Sequence, residues 1–420
     1  MLSLLMAVHA RTHAGRALAP HLVLCAAVLL HPGAAQAEPW TLERCVARVL
    51  SGHPELRAAD RERDATRSRG RQAAAFASPT LSYERGKLGT RVSGDEHEVS
   101  LRVSQELGGP GARGAARAAA RAEDAVAGAS RESVALQLRG QTTRAYRRLQ
   151  ADALSVRTLE SLRRTAGDLE QMVGARLRTG GARYLDVLRA RSERVRIDND
   201  LIESRRALRE DQRTLNSLMS RGPDEPLEGT DSLRFVPLAD SLGEVLRAAA
   251  ERPRLRAARL EVEHGRAGVA LARAGRLPAL SLSAGLDRVP GSARPGLGAG
   301  FELSLPFAPW SAVHARTGEA RAAQGSAEAQ LESAEREVEL AVRNAYGSAR
   351  AAEAQVQQFD RVLLADASDA IRTATQNYQA GQIDGLELLE TLRTLRSIEL
   401  EHIRALLGYE LALIDLAVAE

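Results

Sequence analysis

The sequence predicts a mainly α-helical chain with a small β part: long antiparallel helical hairpins of coiled-coil type, and four amphipathic strands. Three observations carry this. The 420 residues are 27% charged and 44% hydrophobic but only 3% aromatic, a balance rich in Ala, Leu, Arg and Glu that suits long helices packed side by side better than several compact cores. No proline interrupts residues 111–178, room for a helix of roughly 100 Å. The chain also repeats itself, at a shift of about 199 residues.

HPELRAA at 53–59 returns as RPRLRAA at 252–258, and SPTLS at 78–82 as LPALS at 277–281. GAARAA at 114–119 returns as GEARAA at 318–323, and Gly180, Leu185, Val187 and Leu188 match Gly381, Leu386, Leu388 and Leu389. Matches that stay collinear mean two copies of one unit. Residues 221–237, RGPDEPLEGTDSLRFVP, cannot continue a helix and read as the connector. The expected organisation is a signal peptide at 1–37, a first repeat at 38–235 and a second at 236–420.

Arg11 and Arg16, an apolar stretch at 22–30 and Ala35-Gln36-Ala37 make up the signal pattern. Cys25 is a poor lipidation site because Leu24 precedes it, where a small residue is needed. Cleavage leaves a net charge of about +2, and the basic pI reflects Arg in place of Lys, so nucleic acid is not an expected partner. Cys45 remains as the single cysteine, so no internal disulfide is expected. After residue 40 no apolar run approaches the ~18 residues of a transmembrane helix, which excludes a helical inner-membrane transporter.

Each repeat opens with a short helix and a longer one, at 42–50 and 55–75, then at 242–250 and 255–274. Strands follow at about 79–87 and 98–106, and at about 278–287 and 297–306, where apolar and polar residues alternate with period two. Leu81 and Tyr83 alternate with Ser82 and Glu84; Leu297, Ala299, Phe301 and Leu303 alternate with Gly298, Gly300 and Glu302. Phe76, Tyr83, Phe301, Phe307 and Trp310 gather here, as an interfacial aromatic girdle would. A long helix then runs over 110–178, turns near Gly180 and returns over 183–218. Leu188, Val195 and Ile202, like Leu201, Leu208 and Leu215, are seven apart, a coiled-coil period. The second copy predicts a helix over 310–380, a turn at Gly381 and a return over 384–418.

Four amphipathic strands cannot close a membrane barrel alone, since such barrels start at eight strands and lipid tolerates no open edge. Three copies would give a twelve-stranded barrel continued by an α-helical tube. A soluble coiled-coil protein with a small sandwich is the alternative reading.

At this point the sequence resembles the TolC-like outer-membrane efflux proteins. The resemblance spans residues 38–420, from TLERCVARVLSGHPELRAA to YQAGQIDGLELLETL. SPTLSYERG followed by EVSLRVSQELGGPGARGA is most similar to the cobalt-zinc-cadmium resistance branch, which has a Glu-Leu-Gly-Gly turn as at 106–109. Residues 308–318, APWSAVHARTG, depart from that branch's turn after the last strand and put metal as the cargo in question. The resemblance implies a homotrimeric outer-membrane exit duct with a periplasmic helical tube. It would meet a periplasmic adaptor and an inner-membrane pump, and conduct metal ions, drugs or other small solutes passively. The alternative under this heading is the periplasmic adaptor subunit itself.

Asp384, Glu387 and Glu390 are three apart on the returning helix, near one face. The family narrows its duct there with acidic rings; Glu387 and Glu390 fall on those positions, and Asp186 is the counterpart of Glu387. Threefold copies would make a cation-attracting constriction; a solvated face with Glu390 paired to Arg393 is the plainer reading. The turns with Arg176, Leu177 and Gly180, and with Tyr378, Gly381 and Gln382, occupy the positions the family uses to meet its adaptor. No catalytic, cofactor or metal signature is present: His53, His97, His264, His314 and His402 are scattered, His97 in a strand-joining loop and His314 just after the last strand. GLGAG at 296–300 lies within a strand pattern and is not a nucleotide loop.

Overall fold

The computed structural model describes residues 40–87, 97–227, 232–288, 294–305, 310–359 and 361–419. The expected signal segment, Cys25 and Phe307 lie outside them. The element order is α1 Leu42–Gly52, α2 Pro54–Ala74, β1 Thr80–Lys87, β2 His97–Gly108, α3 Ala112–Arg178, α4 Tyr184–Leu218, α5 Leu242–Ala249, α6 Pro253–Ala274, β3 Ala279–Arg288, β4 Gly296–Ser304, α7 Trp310–Gln358, α8 Arg361–Ala380 and α9 Gly385–Ala419. From α1 to α4 and from α5 to α9 the same order recurs.

Local chemistry repeats with it. Thr41 caps α1 by accepting from the Arg44 amide, and Ser241 with Glu244 forms a reciprocal capping box on α5. Pro54 and Pro253 open α2 and α6, where a missing amide costs nothing. Tyr146 of α3 donates its hydroxyl to the Trp40 carbonyl, and Tyr346 of α7 donates to the Asp240 carbonyl, each just ahead of its short helix. Two differences from expectation stand out. Helix α3 starts at Ala112, after Gly111 in the left-handed region (φ 75°). The long helix foreseen over 310–380 is interrupted around Phe359, whose ring lies 5.7 Å from His402 on α9; no Pro or Gly marks the place. His97 begins β2, not the strand-joining loop foreseen for it, whereas His314 lies in α7, after the last strand as foreseen.

The strands form one antiparallel sheet in the order β1-β2-β3-β4, so β2 against β3 joins the two repeats. The register puts Tyr83, Leu101, Leu286 and Leu297 in one rung and Leu81, Val103, Ala284 and Ala299 in the next, all on one face. The other face carries Ser82, Arg102, Gly285 and Gly298, and Glu84, Ser100, Asp287 and Gly296. A bulge at Glu106 and Gly108 bends the ladder where β2 leaves for α3. β1 and β4 are its two edges.

The largest apolar cluster lies toward the hairpin turns. Leu159, Leu162, Leu169 and Val173 of α3 pack with Ile197 and Leu201 of α4, Ile371 of α8, and Leu388, Leu392 and Leu395 of α9. Both hairpins share this core. Of the two heptad series on α4, Leu201 and Leu215 are buried and Leu208 half-buried, whereas Leu188, Val195 and Ile202 stay exposed on this chain. No helix among the described residues is long and apolar enough to cross a membrane.

Candidate functional site

The two hairpin turns lie side by side at the end of the helices opposite the sheet. Each is built the same way. Gly180 and Gly381 sit at φ 77° and 78°, a backbone shape that costs an L side chain free energy and glycine nothing. The Gly181 amide donates to the Arg176 carbonyl (2.8 Å) and the Gly180 amide to Leu177 (3.1 Å). In the second turn Gln382 donates to Asn377 (2.9 Å) and Gly381 to Tyr378 (3.1 Å). These are Schellman closures that satisfy the last helical carbonyls.

What joins the turns is asymmetric. The Arg176 guanidinium donates to the Tyr378 carbonyl and lies 4.8 Å from the centre of the Tyr378 ring. It thereby neutralises the negative end of α8. A methyl group at Gly381 would stand 3.2 Å from Arg176 Nη2. Tyr378 is 2% exposed, its hydroxyl has no hydrogen-bond partner among the described residues, and burial pushes its pKa up. As expected from its spacing, Tyr378 is at the turn, but it faces the core between the hairpins and not solvent. Leu177 is half-buried; Gly180, Gly381 and Gln382 are exposed.

Asp186 does not stand in the open either. At 5% exposure it accepts from the Arg183 amide (3.1 Å), satisfying a free amide at the start of α4, and lies near Arg183 and Arg189 (3.6 Å each). A methyl on Gly385 would be 3.1 Å from Asp186 Cβ, so the second turn closes over it. Asp384, Glu387 and Glu390, in contrast, are all exposed on one face of α9 and the turn before it. Asp384 caps α9 by accepting from the Leu386 and Glu387 amides (3.0 Å each). Glu390 is ion-paired with Arg393, the arrangement that the plainer reading anticipates. That leaves Glu387 as the acid of the three for which the structure shows neither an ion pair nor a capping role.

Spacing did not reveal the group behind this face. Glu193 of α4 is fully buried, and its carboxylate meets Arg393 Nε (2.8 Å), Arg396 Nη1 (3.1 Å) and Arg196 Nη1 (3.4 Å). Arg393 and Arg396 on this buried carboxylate tie the return helix of the first hairpin to that of the second, with Arg196 adding a contact within α4. Also unforeseen, Tyr184, Leu185, Leu188 and Leu386 expose apolar surface beside the turns. Among the described residues no group of His, Cys, Asp and Glu is arranged to hold a metal ion.

The sequence pattern described as "Outer membrane efflux protein" matches residues 46–221 and again 245–419, once in each half of the chain. The chain belongs to the outer membrane efflux protein family. Membership decides between the duct and the adaptor readings in favour of the duct. Among relatives, the chain is 24% identical over 375 residues to the cobalt-zinc-cadmium resistance protein CzcC of Cupriavidus metallidurans, covering 88% of this chain and 87% of that one. Among solved structures it is similar to the outer membrane protein VceC of Vibrio cholerae, with a TM-score of 0.75, 19% identity, and 90% and 96% of the two chains covered. It also matches the open state of the MtrE channel of Neisseria gonorrhoeae, with a TM-score of 0.73, 20% identity, and 90% and 88% covered. A further match is CusC, with a TM-score of 0.75, 18% identity, and 90% and 91% covered.

Proposed function

We infer that this member of the family works as the homotrimeric exit duct of a tripartite efflux system, and that it moves its cargo without bond chemistry. The observation that carries this is the pair of open edges, β1 and β4, on a four-stranded sheet with one apolar face. Open edges are not tolerated in lipid. Pairing β4 of one copy with β1 of the next closes a twelve-stranded barrel after three copies, and residues 38–235 and 236–420 act as two equivalent staves. The exposed Leu188, Val195 and Ile202 stripe supports the same assembly, since a seven-residue apolar series seeks a neighbouring helix.

On this reading the sheet end spans the outer membrane and the turns lie in the periplasm. The segments at Arg176, Leu177 and Gly180, and at Gly381 and Gln382, meet the adaptor through their exposed surface, with Tyr184, Leu185 and Leu386 adding apolar contact. Tyr378 supports that surface from beneath. Asp384, Glu387 and Glu390 face the axis and make the constriction, while Asp186 holds the start of α4 in place. The relationship to a cobalt-zinc-cadmium resistance protein favours divalent metal cations as cargo.

The test is reconstitution in a planar bilayer with a mass measurement of the detergent-solubilised particle. Discrete cation-selective conductance steps from a three-chain particle are expected. A folded monomer without conductance, even when Glu387 and Glu390 are both replaced by Ala, would overturn the reading.

A further inference from the structure

The apolar face of the sheet ends abruptly. Reading outward from the helices, its rungs are Leu280 with Leu303, Leu282 with Phe301 and Gln105, then Leu81-Val103-Ala284-Ala299, then Tyr83-Leu101-Leu286-Leu297. The next rung is Arg85-Val99-Arg288. Two arginines thus stand on the lipid side, on either side of a valine, at the strand ends farthest from the helices. Both side chains are exposed, and neither makes an ion pair or a side-chain hydrogen bond among the described residues. Their sequence neighbours Glu84 and Asp287 cannot serve as partners. The pleat sends residue i and residue i+1 to opposite faces, so both acids point to the lumen side, where the register puts them in one rung with Ser100. In both hairpins an acid-then-arginine dipeptide splits its charges across the sheet.

Depth decides what the arginines can meet. From Leu280 to Arg288 the strand advances roughly 27 Å, or about 20 Å of height at the usual barrel tilt. The apolar band of such barrels is about 25 Å tall, so the arginine rung falls at its outer boundary. An arginine at mid-bilayer is costly, and near the interface it costs little. Two separate side chains at this boundary are therefore tolerable, and what lies at that level is headgroup. Arg85 and Arg288 lie two strands apart, about 10 Å, and each guanidinium presents a planar fork matched to phosphate oxygens. Tyr83, one rung inward of Arg85 and 63% exposed, is the amphipathic ring suited to the same boundary.

We propose that Arg85 and Arg288 form a phosphate-binding site on the outer rim of the barrel wall, occupied by the phosphorylated headgroup of an outer-leaflet lipid. The site rests on the exit-duct reading, because it needs this face of the sheet to be in lipid. It would fix the barrel's depth and rotation against the outer leaflet, and charge complementarity would favour lipids with more phosphate.

Native mass spectrometry of the purified full chain tests this with three probes: diphosphorylated lipid A, the same lipid lacking one phosphate, and a phosphate-free galactosyl diacylglycerol. Bound fraction should rise with phosphate number, with about tenfold between the extremes for a two-arginine site. Arg85→Gln with Arg288→Gln should cut lipid A binding about tenfold and leave the galactolipid unchanged, while the double Lys variant keeps an intermediate level. If the double Gln variant does not assemble, Arg288→Gln alone is read, with about a threefold loss expected. Unchanged lipid A binding in whichever Gln variant is read, or equal binding of the three lipids by a wild type that assembles and conducts, overturns the site and leaves the duct standing. A wild type that neither assembles nor conducts overturns the duct and the site with it.

Discussion

The two hairpin turns have the same backbone and opposite side-chain duties. Gly180 and Gly381 close them at nearly identical φ. The first hairpin sends Arg176 across to Tyr378, Asp186 under Gly385, and Glu193 toward Arg393 and Arg396. The second turn keeps Asp384, Glu387 and Glu390 outward. Two copies of one unit have divided the work, one holding the hairpins together and the other presenting charge. The division means that clamp and acidic face can be altered separately.

The largest effect is expected at the clamp. Glu193→Ala removes the fully buried carboxylate that Arg393 and Arg396 share and leaves them only the exposed Glu390 and Asp200, which should cost about 3 kcal/mol, since breaking a buried pair is expensive. Urea unfolding of the solubilised particle measures it, with Glu193→Gln intermediate. A loss below about 1 kcal/mol would place the link between the hairpins in the apolar cluster instead. The clamp also predicts a difference between the turns. Gly381→Ala combines strained φ with the close Arg176 guanidinium, and should cost about 2 kcal/mol; Gly180→Ala, with open space around it, should cost about 1. Equal losses would mean that Arg176 moves aside freely. Charge reversal at Arg176 should in addition weaken crosslinking to the adaptor.

These contrasts mark what could be read from the sequence. Strand alternation at 81–84 and 297–303, Pro54 and Pro253 at helix starts, and the turn glycines are local signals, and each element appeared within a few residues of its expected place. Spacing also brought Asp384, Glu387 and Glu390 to one face. Burial of Asp186 and Tyr378, the Glu193 cluster and the interruption near Phe359 escaped because their partners are on distant segments. Arg393 is 200 residues from Glu193, and no periodicity within one helix reports on a neighbour so far along the chain. The bond from the Arg183 amide to Asp186 was the exception: its partners are three residues apart, and an acid in the first turn of a helix is a local signal.

On the acidic face the effects are smaller and concern conduction. Because Arg393 already occupies Glu390, Glu387→Gln should weaken block by divalent cations about threefold, and Glu390→Gln less than twofold. The reverse order in single-channel recordings would show that the Glu390–Arg393 pair opens in the assembled particle.

The smallest effect separates the repeats away from the turns. Asp152 on α3 and Asp211 on α4 face each other. Burial, reinforced by the neighbouring Asp152 charge, pushes Asp211 up to about 7, and burial raises Asp152 as well. Arg148 opposes the rise in both without cancelling it. At the shift that matches Gly180 with Gly381, the counterpart of Asp211 is Ala412, so this carboxyl has no equivalent in the second hairpin, where burial raises Glu399 and Glu410 instead. A carboxyl whose pKa is raised on folding is at no disadvantage while protonated in both states. The unfolded chain gains by ionising above about 4, so stability falls as pH rises from there to about 7 and then levels. Asp211→Asn should remove the Asp211 part of that slope: no change in Tm at pH 4, and a gain of about 2 °C at pH 8. A uniform shift across the range would mean that the pair is hydrated in the assembled duct and that Asp211 titrates there like an exposed carboxyl.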